Sequence, residues 1–236
     1  MTSLLAVETS TTACSVALQV ANRTFARSSN KPRSHSKLLM AMVQDILKEA
    51  DLQPHQLDAL AVTVGPGSFT GLRIGFATVQ GLAYAHDIPV VPLSTLKVMA
   101  ATYLSQHPSD IKHSADSEII AVLDARMSEF SLGRYGLSRD SGIVLIEDDQ
   151  LLNAEQALSR IHTLKPTALV GEADLLVDTN PELAAIYTPL YPLAEAILPL
   201  AQAQVEKGNA LPVTEVDLVY LRGAEAWRKR KRLREA

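Results

Sequence analysis

An apolar run, Leu57 to Val64, ends in Gly65-Pro66-Gly67-Ser68-Phe69-Thr70-Gly71-Leu72-Arg73-Ile74-Gly75, and a segment rich in small residues leads away to Ala85. The pattern predicts a strand, a glycine-rich turn and a helix over Thr70 to Ala85. Gly65 and Gly67 flank a proline, so the backbone there can take positive φ and approach another group closely. Ser68 or Thr70 can cap the helix. Such a helix start offers free N–H groups to an anion; a tight turn with close helix packing accounts for the glycines equally well. The known phosphate and nucleophile strings do not fit. No lysine follows these glycines, Gly71 stands one residue too far from Gly67 for the dinucleotide pattern, and no glycine lies two residues either side of Ser68.

The rest of the chain repeats this grammar. Leu4 to Val7, Cys14 to Val20 and Thr24 to Arg27 read as strands, with the small polar tip Glu8 to Ala13 between the first two. A helix starts at Ser34 or Ser36 and runs to about Ala50. Its wide stripe of Leu38, Leu39, Met42, Val43, Ile46, Leu47 and Ala50 suits packing on a sheet and on something else. The Thr70 to Ala85 helix carries Leu72, Phe76, Val79 and Leu82, with small residues at Gly71, Gly75, Ala77, Gly81 and Ala85. Each helical glycine costs about 1 kcal/mol against alanine, so several imply a close neighbour, either internal or another subunit. Ile88 to Pro92 is a strand, and Ser94 opens a further helix. Gln106 to Ser117 is a polar linker. Strands then follow at Ile119 to Leu123, Phe130 to Tyr135, Gly142 to Glu147 and Ala168 to Val170. Helices follow at Ala154 to Ile161 and Leu193 to Glu206, the second interrupted by Pro199. Two halves of three strands followed by alternating helix and strand indicate a duplicated α/β architecture.

Charge and cysteine content narrow the function. The net charge is −4, but Trp227 to Ala236 holds six basic residues and one acid, so the rest carries −9. The body is therefore no general nucleic-acid binder, and only the tail is a candidate. The lone Cys14 excludes an internal disulfide and reads as a core residue. With no apolar run near the ~20 residues that span a bilayer, and no basic leader, a cytoplasmic location is expected. His35, His86, His107, His113 and His162 show no metal-ligand spacing. Asp124 and Arg126 form either an ion pair or the start of a turn.

GPGSFTGLRIG closely resembles the signature of the TsaB (YeaZ) family, which helps make the threonylcarbamoyladenosine beside the tRNA anticodon. Asp124-Ala125-Arg126, with Glu129 and Phe130 downstream, resembles a second family string. Tyr220-Leu221-Arg222 before Trp227 resembles a third, and Lys37 stands where relatives usually have glutamate. The resemblance implies mixed five-stranded α/β lobes of the actin, Hsp70 and sugar-kinase (ASKHA, ribonuclease H-like) superfamily. It divides the chain into an N-terminal lobe over 1–106 with a helix at about 193–212 packed back on it, a C-terminal lobe over 107–190, and a C-terminal strand and basic tail over 213–236.

It also implies a non-catalytic accessory subunit that binds and activates the TsaD transferase, with TsaE and the adenylate-forming ligase as the other components. The TsaD heterodimer or a homodimer would use Leu39, Met42, Val43, Ile46, Gly71, Leu72, Gly75, Phe76 and Val79. Thr9, Ser10, Gly65, Gly67, Ser68 and Arg126 are the candidates for nucleotide or anion contact. No catalytic residue, metal or cofactor of its own is expected, and a nucleotide would sit at the partner interface. TsaD's His-x-x-x-His pair is missing, Thr11 and Thr12 replace its hairpin acids, and Ala173 replaces the second glycine of the adenosine turn. Contact with tRNA would come through the complex, by the tail Arg228 to Arg234, and no membrane partner is expected. The alternative is an ATP-dependent phosphotransferase or metallopeptidase of the same superfamily.

Overall fold

The computed structural model describes residues 2–31, 34–108, 117–138 and 142–222. The core of the linker, Arg33, His113, Trp227 and the basic tail Arg228 to Arg234 lie outside them. The first half contains β1 (Leu4–Glu8), β2 (Cys14–Val20), β3 (Arg23–Ser29), α1 (His35–Glu49), β4 (Ala59–Gly65), α2 (Phe69–His86), β5 (Val90–Ser94) and α3 (Thr95–Gln106). The second contains β6 (Glu118–Asp124), β7 (Glu129–Ser138), β8 (Gly142–Asn153), α4 (Ala154–Leu164), β9 (Ala168–Gly171), α5 (Asp174–Thr179), β10 (Tyr187–Pro189) and α6 (Ala194–Glu206).

Two five-stranded sheets result, ordered β3-β2-β1-β4-β5 and β8-β7-β6-β9-β10. In each, the first three strands are antiparallel and the last two join in parallel, so the second sheet repeats the first strand for strand. This is the mixed-sheet α/β fold of the actin and Hsp70 superfamily. Alternation along each strand sorts side chains between two cores. Leu5, Val7, Leu60 and Val62 face α1 and α2, which bring Leu39, Val43, Ile46, Val79 and Ala83. Leu4, Ala6, Ala17 and Ala61 face α6, which brings Ala194, Ile197, Leu198 and Ala201. The small side chains on that second face let a helix lie close to the sheet.

Two placements differ from the sequence reading. A boundary at 106 assigns α3 to the first lobe, yet Leu96, Met99, Ala100 and Tyr103 of α3 complete the core of the second sheet with Ile119, Ala121, Tyr135 and Val170. Val98 of the same helix faces the first sheet, so α3 is shared between the lobes. The C-terminal strand expected from 213 onward is absent among the described residues. A 3-10 turn at Val213–Glu215 is followed by irregular chain. Both edges of β4 are already taken by β1 and β5, so no ladder is open there. Only where the β4–β5 register shifts, between Thr63 and Gly65, is the Val64 carbonyl free, and it accepts from Val219 N at 2.8 Å.

Candidate functional site

Of the six candidate nucleotide contacts, Thr9, Ser10, Gly65, Gly67 and Ser68 lie at the β1–β2 tip and the turn between β4 and α2, and Arg126 lies on the β6–β7 turn of the other lobe. Between β1 and β2 the tip is buried, not open. Glu8, Thr9, Ser10 and Thr11 have almost no exposed surface. The Thr9 hydroxyl donates to Gly71 O at 2.8 Å, and Ser68 N donates to Ser10 O at 2.6 Å. A Cβ on Gly67 would overlap Ser10, and on Gly71 or Gly75 would overlap Thr9. The glycines of α2 therefore answer the open question internally: they admit the hairpin tip. At Gly81 a Cβ would meet nothing within 4 Å.

The chain itself meets two of the amides at the helix start. Ser68 caps α2, accepting from Gly71 N at 3.2 Å, and the Ser10 carbonyl takes the Ser68 amide. The second helix differs from expectation. Ser34 stands at the cap position of α1 but makes no side-chain cap bond, because its hydroxyl donates to Lys31 O. His35, the first residue of α1, is buried and its Nε2 lies 3.1 Å from Ala13 O, against the hairpin.

Glu8 closes β1. Its Oε1 accepts from Ser10 N at 2.6 Å and Ser10 Oγ at 2.5 Å, while its buried Oε2 stands beside the buried Thr63 hydroxyl. Burial pushes the Glu8 carboxyl up to about 7, and the Ser10 bonds pull only partly against this. Burial and the nearby Glu8 together push the Cys14 thiol up to about 11, as expected for an inert core cysteine.

In the second lobe Asp124 and Arg126 make both arrangements at once. Asp124 accepts from Arg126 N at 2.7 Å, starting a turn, and pairs with its guanidinium at 3.0 Å. Arg126, Met127 and Ser128 all take positive φ, an unusual run without glycine. At the adenosine-turn position, Tyr187 OH donates to Gly171 O at 2.9 Å and accepts from Ala173 N at 3.2 Å. Ala173 is fully buried. A base at this turn would have to displace these contacts.

Sequence reasoning missed the residues that tie the lobes together. Val219 lies over Gly65, where a Cβ would overlap its carbonyl oxygen. Arg73 Nε donates to Tyr220 OH at 3.3 Å, and Phe69 and Tyr220 rings lie 5.5 Å apart. Arg222 then reaches the other lobe, donating to Ala125 O at 3.0 Å and Arg126 O at 3.1 Å and pairing with Glu129. Beside α3, Ser94 donates to Asp149 at 2.5 Å and Tyr135 donates to the same carboxyl at 2.7 Å. Only the Tyr-Leu-Arg string hinted at the first of these links. Arg222→Ala should cost about 2 kcal/mol, because it leaves two carbonyls and Glu129 without a charged donor. Amide exchange at Ala125 and Glu129 should speed up with it; unchanged exchange there would show that Arg222 does not hold the turn.

The predicted interface divides. Leu39, Val43, Ile46, Leu72 and Val79 are at most 1% exposed, and Gly71 and Gly75 are buried against the hairpin. They serve this chain's own core and cannot directly meet a partner. Met42 and Phe76 are half-buried, and Met40, Ala77, Gly81 and Tyr84 are exposed on the outward sides of the same two helices. The stripe read from sequence packs on this chain's own sheet, because a stripe that binds a sheet and one that binds a partner look alike.

Among the described residues no three His, Cys, Asp or Glu side chains come together as a metal group, and no helix is long and apolar enough to cross a membrane.

A family model described as TsaD, tRNA N6-adenosine threonylcarbamoyltransferase, matches residues 26–169. The chain is 33% identical over 234 residues to the Haemophilus influenzae tRNA threonylcarbamoyladenosine biosynthesis protein TsaB, covering 96% of both. It is 32% identical over 231 residues to the Escherichia coli protein of that name, covering 96% of this chain and 97% of the relative. The solved structure of YeaZ from Pseudomonas aeruginosa matches with a TM-score of 0.81 at 32% identity, covering 94% of this chain and all of that one. With likeness in sequence and fold extending over nearly its whole length, the chain belongs to the TsaB (YeaZ) family of tRNA threonylcarbamoyladenosine biosynthesis proteins.

Proposed function

We propose that this chain is a non-catalytic subunit that binds and activates TsaD, and that it pairs with a second copy of itself when TsaD is absent. Its contact surface is the outward side of α1 and α2, centred on Met40, Met42, Phe76, Ala77, Gly81 and Tyr84. The observation that carries this reading is the filled edge between the lobes. Ser10 packs on Gly67, Val219 lies over Gly65, Tyr187 bonds the Gly171 to Ala173 turn, and Arg222 bridges to Ala125, so this chain's own atoms hold that edge. What the chain has left to offer is surface, and Gly81 leaves room on α2 for another helix to approach closely. Any nucleotide would be held at the partner interface near Gly67 and Ser68, which are exposed. TsaE and the adenylate-forming ligase complete the system, which operates in the cytoplasm.

The test is a reconstitution of TsaD, TsaE, the ligase, ATP, threonine, bicarbonate and tRNA, with and without this chain, counting modified nucleoside. Product should form only when the chain is present, and the chain alone should form none. Gly81→Glu should keep the fold, lose TsaD binding and reduce product at least tenfold, the cost of burying an unpaired charge in an interface. Equal product without the chain would overturn the reading.

A further inference from the structure

On the α6 side of the first sheet, across from α1 and α2, a cleft of about 350 Å3 runs between β5, the first turn of α3 and the end of α6. Val91 and Leu93, both buried, supply the apolar part of its lining. The edge of β5 is closed to a further strand. Val90 N donates to Leu211 O and Leu211 N donates to Val90 O, each at 2.8 Å, and Pro92 has no N–H to give. The cleft therefore presents side chains, and those that carry charge are cationic. Lys97 lines it and is half-buried, and its ammonium has no hydrogen-bond or ion-pair partner among the described residues. Burial, and then repulsion by Lys207 at the C-cap of α6, hold that ammonium below the ordinary lysine range. From the α6 side, Asn209 N donates to Gln204 O and Asn209 Nδ2 donates to Gln204 Oε1, both at 2.9 Å. These bonds fix the Gln204 side chain with its acceptor used and its Nε2 donor left over. No carboxylate lines the cleft. The acids nearest in the chain or behind it are engaged elsewhere: Glu206 accepts from Gln202, and Asp149 accepts from Ser94 and Tyr135. A half-buried ammonium beside a second cation and a held amide donor is a donor set for an oxyanion.

We propose that Lys97, Lys207 and the Gln204 amide bind a small multivalent oxyanion, of the phosphate or polycarboxylate class, in the cleft between α3 and α6. The site lies on the opposite side of the sheet from the helices assigned to TsaD, so it adds to that reading without depending on it. Because α3 packs on both sheets, an ion joining Lys97 to Gln204 would brace the helix shared by the lobes.

The test titrates the full chain with inorganic phosphate and, separately, with citrate, at an ionic strength held constant with sodium chloride. The Gln204 side-chain amide and the Lys97 backbone amide are followed by NMR, and thermal unfolding is measured alongside. At least one of the two anions should shift both signals saturably and raise the melting temperature. The tighter binder fixes the class. Lys97→Met keeps the aliphatic stem and should fold normally, but should weaken binding about tenfold through loss of the charged donor. Lys97→Arg should retain most of the affinity. The proposal is overturned if neither anion gives a saturable shift at these amides, or if Lys97→Met binds as tightly as the wild type. Either result would leave Lys97 as a stem that covers apolar surface with a solvated ammonium. TsaD is absent from the titration, so a failure here leaves the reconstitution unaffected.

Discussion

Gly71→Ala should destabilise the chain by about 3 kcal/mol, while Gly81→Ala, ten residues along the same helix, should stabilise it by about 1 kcal/mol. At Gly71 the new methyl would overlap the Thr9 carbonyl, a backbone atom held in the β1–β2 tip, so relief requires moving either the helix or the hairpin. At Gly81 the methyl enters open space, and only the higher helix propensity of alanine is felt. Urea unfolding of the two variants gives both numbers. Equal destabilisation would mean that the hairpin does not rest on α2, and would remove the account of the buried tip. Gly75→Ala should fall nearer Gly71, since its neighbour is the Thr9 hydroxyl. A charge at Gly75 would thus unfold the chain rather than test an interface, and Gly81 is the position that separates the two effects.

The second large effect is a dependence on pH that belongs to one residue. Glu8 has its carboxyl raised from the ordinary range of about 4.3 to about 7 in the folded chain. Between those values the folded state holds a proton that the unfolded state has released, so stability falls as pH rises through the window. The loss for Glu8 alone is on the order of 3 kcal/mol between pH values near 5 and near 8. Glu8→Gln keeps the shape and the acceptor for Ser10, and places an amide donor toward the Thr63 hydroxyl. It should therefore abolish this component, leaving stability little changed under acid conditions and raised under alkaline ones. Asp149 and Glu172, also pushed up by burial, contribute with the same sign, and Glu147, held down by Arg160 and Arg134, with the opposite sign. The difference between wild type and Glu8→Gln isolates Glu8. Parallel stability curves for the two proteins would show that the carboxyl is solvated in the fold.

Elements that announce themselves locally were legible. Apolar alternation placed most strands of both lobes to within a few residues, though it ended β8 at Glu147 where the strand runs on to Asn153 and did not register the three-residue β10. The glycine-proline string located the turn before α2 and offered Ser68 or Thr70 as its cap, of which Ser68 is the one used. The order of strands and helices already displayed the duplication, and the family strings named the fold. These signals depend on neighbours within one turn or one strand, and sequence carries them directly.

Contacts between residues distant in sequence were not legible. Which side of α1 and α2 lies inward depends on the sheet beneath them, so Leu39 and Val79 could be taken for partner contacts until the core was seen. Thr9 filling the space over Gly71 joins residues 62 apart, and Arg222 reaching Ala125 joins residues 97 apart. α3 belongs to both lobes because it lies between two sheets that no local pattern relates. The sequence by itself determined the elements, their order and the family. Tertiary structure decided which side of each helix is free, and that the chain's own atoms fill the edge between the lobes, because burial and hydrogen-bond satisfaction are properties of the packed molecule.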